Sequence, residues 1–119
     1  MMKNILSILA VLALFLVSTT AFAEGPMKLP AGAKPEAVSH NNEGITSWNK
    51  KDYKGALMHF SAASKIDGSS GEIHFNEAIC YDKIGQHGVA TKHFGVALKK
   101  AGGNTKLLNS PILKGHLGM

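Results

Sequence analysis

Residues 37–70 read AVSHNNEGITSWNKKDYKGALMHFSAASKIDGSS, and residues 71–104 read GEIHFNEAICYDKIGQHGVATKHFGVALKKAGGN. Laid over one another at an offset of 34, the two stretches are identical at ten positions. The pairs are His40/His74, Asn42/Asn76, Glu43/Glu77, Ile45/Ile79, Ala56/Ala90, His59/His93, Phe60/Phe94, Ala63/Ala97, Lys65/Lys99 and Gly68/Gly102. Chance would match about two, and a period of this length marks stacked units that cannot bury their apolar faces alone.

The repeated residues have a packing logic. Gly44 and Ala78 are small at matching places in the first half of each unit, and Ala56 and Ala90 in the second. Small residues at a crossing let two antiparallel helices approach closely. Phe60 and Phe94 follow those alanines by one helical turn and can fill the space beside the crossing. Ala63 and Ala97 continue the same face, so the next unit can stack on it. Lys51-Asp52 and Gly85-Gln86 supply turns inside the units, and 67–71 and 102–104 separate larger blocks. No period-two alternation or Asn-Gly hairpin turn suggests a strand.

Working outward, residues 24–35 hold Gly25, Pro26, Pro30, Gly32 and Pro35 without a periodic apolar pattern. They read as an extended, mobile linker, with order beginning near Pro35, which suits a first helical turn. Beyond the repeats, Leu107, Leu108, Ile112, Leu113 and Leu117 predict a short helix capping the last unit, interrupted near Ser110-Pro111. Such a cap answers a physical need, because two repeats alone are few for independent stability. The same apolar face could instead bind a second copy of the chain.

The start of the chain reads as an address. Lys3 precedes an almost unbroken apolar run from Ile5 to Val17, and Ala21-Phe22-Ala23 offers a small-x-small cleavage site. These are the three parts of a secretory signal peptide, and the run is short for a membrane span, which needs ~20 apolar residues. Cleavage near Ala23 predicts a periplasmic or secreted protein, touching the membrane only through its uncleaved signal. The expected organisation is a signal peptide over 1–23, a linker over 24–35, two repeats within 36–104 and a capping segment over 105–119.

This arrangement resembles the tetratricopeptide repeat. The resemblance covers 37–104 and rests on Gly44…Ala56…Phe60…Ala63 and Ala78…Tyr81…Ala90…Phe94…Ala97. The departures are His40 and His74 where a large residue opens each unit, Glu43 and Glu77 where Leu is usual, Ser47 for Tyr, and Gly102 for the closing Pro. The implied fold is all-α: two tetratricopeptide-like helix-turn-helix repeats, an α-solenoid fragment, with a short C-terminal capping helix. The implied function is a non-enzymatic scaffold that binds a peptide or helix of another exported or envelope protein. By resemblance the groove positions are Asn41, Ile45, Trp48, Asn49, Phe75, Ile79, Asp82 and Lys83, and Asn42 and Asn76 match a position whose amide contacts bound peptide backbone. Asn41 and Ile45 replace the Lys and Asn of a carboxylate-gripping subclass, which excludes that specificity. Trp48 and Phe75 suit either a groove anchor or a thin core that needs every large apolar group.

Composition narrows the remaining classes. The net charge is +5, and all thirteen basic residues are Lys. Without Arg, bidentate reading of bases and phosphates has no agent, so nucleic acid is not an expected partner. Cys80 is the sole cysteine, flanked by apolar residues, and reads as a buried, inert thiol. No Gly-x-Ser-x-Gly elbow or phosphate loop is present, so no catalytic or cofactor-binding residue is assigned. The six histidines raise metal binding as an alternative function. However, no two lie three or four apart on one helix, and no Cys or carboxylate completes a cluster. No metal site is assigned on this reading, and self-assembly through end-to-end stacking is a further alternative.

Overall fold

The computed structural model describes residues 24–119. The signal peptide expected over 1–23 lies outside the described residues. Among the described residues six helices follow one another: α1 (Pro35–Asn49), α2 (Tyr53–Ile66), α3 (Gly71–Lys83), α4 (His87–Lys99), α5 (Thr105–Leu108) and α6 (Pro111–Leu117). There is no strand among the described residues. The chief packing pairs are α1 with α2 and α3 with α4, with α2 laid against α3. This is the expected pair of stacked helical hairpins.

Local chemistry sets the helix starts. Pro35 opens α1, where its missing N–H costs nothing. The side chains of Asp52, Ser70, Asn104 and Ser110 accept the backbone N–H three residues on, capping α2, α3, α5 and α6. Inside the hairpins the turns superpose. Gly85 has φ +89°, and its repeat counterpart Lys51 has φ +64°. Left-handed backbone suits glycine and strains a lysine. Lys51→Gly is therefore expected to stabilise the first hairpin by about 0.5–1 kcal/mol, after the entropy cost of glycine is subtracted. Urea melts of the two proteins check this.

The residues picked out by the repeat are the core. Ala56, Phe60, Ala63, Ala78, Ala90, Phe94 and Ala97 are fully buried. A Cβ on Gly44 would lie only 2.5 Å from the Phe60 ring, so the small residue on α1 is what lets α2 approach. One apolar cluster joins α1 and α2 to Ile73 and Cys80 of α3. The other joins Phe75, Ala78 and Ile79 to α4, Leu107 and Leu113. Helix α3 thus lies between both, and it is buried at nearly every position from Gly71 to Cys80. Burial, with a smaller contribution from Glu77, pushes the Cys80 thiol up to about 12, which agrees with an inert side chain.

The tail forms the cap. Leu107 of α5 and Leu113 of α6 are fully buried, and Leu108, Ile112 and Leu117 pack around the same cluster. The expected interruption falls between the two short helices, at Asn109 and Ser110.

Candidate functional site

Residues 24–33 are extended apart from a turn at 31–32, but they are not a free tether. They lie along α1 and α3, and Met27 is held there at both backbone groups. Its N–H donates to Asn76 Oδ1 at 2.7 Å. Its carbonyl accepts from Asn76 Nδ2 at 2.7 Å and from Asn41 Nδ2 at 3.1 Å. A further bond from Asn76 Nδ2 to Asn41 Oδ1, 2.8 Å, locks the two amides together. Asn41, Asn76 and the Met27 side chain are all buried. The amide pair reads backbone, and the Met27 side chain enters the apolar cluster of the second repeat. The segment expected as an extended, mobile linker is extended, but these bonds dock it on α1 and α3.

Both ends of the segment are tied down. The Glu24 carboxylate accepts from Ser110 Oγ at 2.6 Å and from the Ile112 N–H at 2.8 Å, at the start of α6. At the other end the Lys34 N–H donates to Asp67 Oδ2. Hydrogen bonds from Ser69 and from Lys34 hold the Asp67 carboxyl below its ordinary range.

The groove residues expected from the sequence divide into groups. Asn41 and Asn76 grip Met27. Asn42, at the repeat position matching Asn76, is instead exposed, because the amide facing the groove on α1 sits one residue earlier. Phe75 is core: it is fully buried and meets Phe94 edge to face, with ring centroids 5.7 Å apart. Its position on the central helix leaves it no open side. Ile45 is half-buried against the first cluster, and Asn49 is exposed at the end of α1.

Trp48, Ile79, Asp82 and Lys83 line an open cleft of about 420 Å³, completed by Glu24, Pro111 and Ile112. This cleft continues the groove beyond Glu24. Trp48 is half-buried, its ring edge to face with Tyr53 at 4.8 Å. The Lys83 ammonium stands 5.9 Å from the Trp48 ring and 5.4 Å from the Tyr53 ring, within reach of a cation–π attraction. Asp82 Oδ1 is bonded to His87 Nδ1 at 2.7 Å and His116 Nε2 at 2.8 Å. Partial burial pushes the Asp82 carboxyl up, but these two bonds more than offset it and hold it below the usual range. They also tie α6 to the α3–α4 hairpin, which makes one wall of the cleft. Glu24 and the start of α6 leave no periodic signal in the sequence, because their roles depend on docking.

The histidines are not isolated, and the sequence expectation that no carboxylate completes a set is corrected here. His40 and His59 face Glu43, His74 and His93 face Glu77, and His87 and His116 face Asp82. A signal was present: His-x-x-Glu occurs in each repeat, with another His at the same later register. The second histidine comes from the other helix of the hairpin, so a search for pairs along one helix passes over it.

No protein-family model matches the chain. The chain is similar to human sperm-associated antigen 1, with 39% identity over an alignment of 85 positions that covers 60% of this chain. The chain spans about 9% of that protein's length. The fold in hand is a fragment of α-solenoid, two helical hairpins with a helical cap.

Proposed function

We propose that the protein is a non-enzymatic adaptor of the periplasm or cell exterior that holds an extended segment of another exported or envelope protein along its concave groove. The observation that carries this reading is the open cleft lined by Trp48, Ile79, Asp82, Lys83 and Ile112, which continues the groove where the Asn41–Asn76 amide pair already holds extended backbone at Met27. Saturating a main-chain N–H and C=O is how a surface accepts extended polypeptide of varied sequence. The similarity to one short stretch of a much longer protein supports a helical repeat as the module.

The chain's own segment has an advantage over any partner at Met27. Its covalent link gives it an effective concentration in the millimolar range. A partner in trans therefore docks in the open cleft beyond Glu24, where Trp48 and Ile112 supply apolar anchors and Lys83 supplies charge. Half-buried aromatic residues at such a site commonly carry most of the binding energy.

A photo-reactive residue at Lys83, introduced in the organism that makes the protein, tests this. The expected result is covalent capture of a recurrent polypeptide, reduced at least about tenfold by Trp48→Ala with helix content unchanged. Undiminished capture in a folded Trp48→Ala protein, or no capture at all, contradicts the reading. Phe75→Ala is not a groove variant, since that side chain is core.

A further inference from the structure

We propose that each helical hairpin carries a site for a divalent transition-metal ion of the zinc class: His74, Glu77 and His93 in the second repeat, and His40, Glu43 and His59 in the first.

The second-repeat site is built from the inside of the molecule. Glu77 is on α3 and its side chain is 8% exposed. Its Oε2 accepts from Ser61 Oγ of α2 at 3.2 Å, which orients the carboxylate. Its Oε1 is left aimed at His74 Nδ1, 3.4 Å away, and at His93 Nδ1 of α4, 3.6 Å away. All three atoms are buried, and none has a hydrogen-bond partner. Buried polar atoms without partners are rare in folded proteins, and each calls for a reason. Here three of them converge on one point.

The tautomer of His74 sharpens the case. Its Nε2 lies 2.9 Å from the Gly68 carbonyl. A carbonyl only accepts, so Nε2 carries the hydrogen, and in the neutral ring Nδ1 presents a lone pair to the Glu77 oxygen. Two electron-rich atoms at this range repel unless a cation lies between them. A proton can serve only one such pair. A metal ion serves all three donors at once. Backbone support of the ring nitrogen opposite the ligating one is the usual outer arrangement around a metal-bound imidazole.

The spacing suits such an ion. Two ligands each about 2.1 Å from a tetrahedral zinc lie roughly 3.4 Å apart. The separations are 3.4 and 3.6 Å in the second repeat and 3.3 and 3.6 Å in the first. The imidazole pairs also repeat in detail, with ring centroids 6.4 Å apart in both hairpins and interplanar angles of 28° and 29°. Two nitrogens and one carboxylate favour a borderline ion over calcium or magnesium, which take oxygen ligands. A fourth position remains for water or a partner's side chain.

The two sites differ in strength. Glu43 is 55% exposed, against 8% for Glu77. A water-filled surface weakens attraction between charges, and mobile ligands bind with more entropy loss. The first-repeat site is thus the weaker. The Asp82–His87–His116 group is different again. Its ring nitrogens are already bonded to Asp82 at 2.7 and 2.8 Å, so its donors are spent on holding α6. The geometry therefore predicts two ions, not three. Each would bridge the two helices of one hairpin, a staple suited to a solenoid with few repeats.

The test uses the full chain, stripped with a chelator, titrated with Co²⁺ and then with Zn²⁺. The expected result is two equivalents of Co²⁺ with tetrahedral visible absorption, displaced by Zn²⁺. Glu77→Gln, nearly isosteric and still able to accept from Ser61, weakens the tighter equivalent at least about tenfold. Glu43→Gln does the same to the other alone. His93→Asn, at a partly exposed position on α4, reproduces the Glu77→Gln result without altering the Ser61 bond. Zn²⁺ also raises the Tm of the native protein and leaves the Glu43→Gln/Glu77→Gln protein unmoved. Absence of the absorption overturns the proposal, as does a signal that survives in the folded double variant. A signal removed by His87→Ala but kept by Glu77→Gln overturns it equally.

Discussion

Phe94→Ala is expected to destabilise the protein by about 3–5 kcal/mol, the cost of emptying a buried aromatic site. Phe94 is fully buried where the repeat, the cap and the docked segment meet. Its ring touches Phe75 edge to face and lies 4.8 Å, centroid to centroid, from the His116 ring. Ala78, Ala90 and Ala97 share its cluster and are too small to fill the space it would leave. Of the larger neighbours in that cluster, Phe75 is buried in α3, and Leu107 and Leu113 are fixed by the capped helices α5 and α6. Collapse is thus limited, which places the cost toward the upper part of the range. A domain of this size has a total stability of roughly 5–15 kcal/mol. Thermal melts followed by far-ultraviolet circular dichroism should show a fall in Tm of at least about 12 °C. A fall of only one or two degrees would mean that Phe94 does not bridge the cap and the repeat.

The second large effect is at Asn76. Asn76→Ala removes three hydrogen bonds at once and leaves the Met27 N–H and Asn41 Oδ1 without partners. A buried polar group so orphaned costs about 1–3 kcal/mol. The segment can avoid that cost by lifting off, but it then exposes the Met27 side chain, worth about 1.5–3 kcal/mol of burial. Either route destabilises the protein by about 2–4 kcal/mol. The lifted state has a direct signature. Lys28 is exposed beside the gripped residue, and trypsin should cut there much faster in Asn76→Ala than in the native protein. Equal cutting rates in the two proteins would show that the amides do not hold the segment.

The parts of this molecule legible in the sequence are those with a period. The offset of 34 found Ala56, Phe60, Ala63 and their partners because every repeat needs the same small and large residues at its crossing. The tail was legible because its leucines have no other face to cover. The segment over 24–33 was not, since its bonds run from main chain to two side-chain amides and impose no pattern on its own residues. Proline and glycine there are as compatible with docking as with freedom. Asn41 and Asn42 both read as groove positions, but strict register gives the backbone-contacting role to Asn42, and one residue on a helix is a rotation of about 100°. Phe75 suits groove and core alike in the sequence, because its fate depends on what covers α3 from both sides, which no single helix pattern contains. The histidine sets required the pairing of helices before Glu43 and Glu77 could be seen as their shared neighbours.

Amide hydrogen exchange at Met27 probes the groove most directly, because that N–H has a partner only if Asn76 grips extended backbone. Slow exchange at Met27, lost in Asn76→Ala while α3 and α4 stay protected, is what the structure requires. Exchange at the rate of an unstructured peptide in the native protein would contradict it.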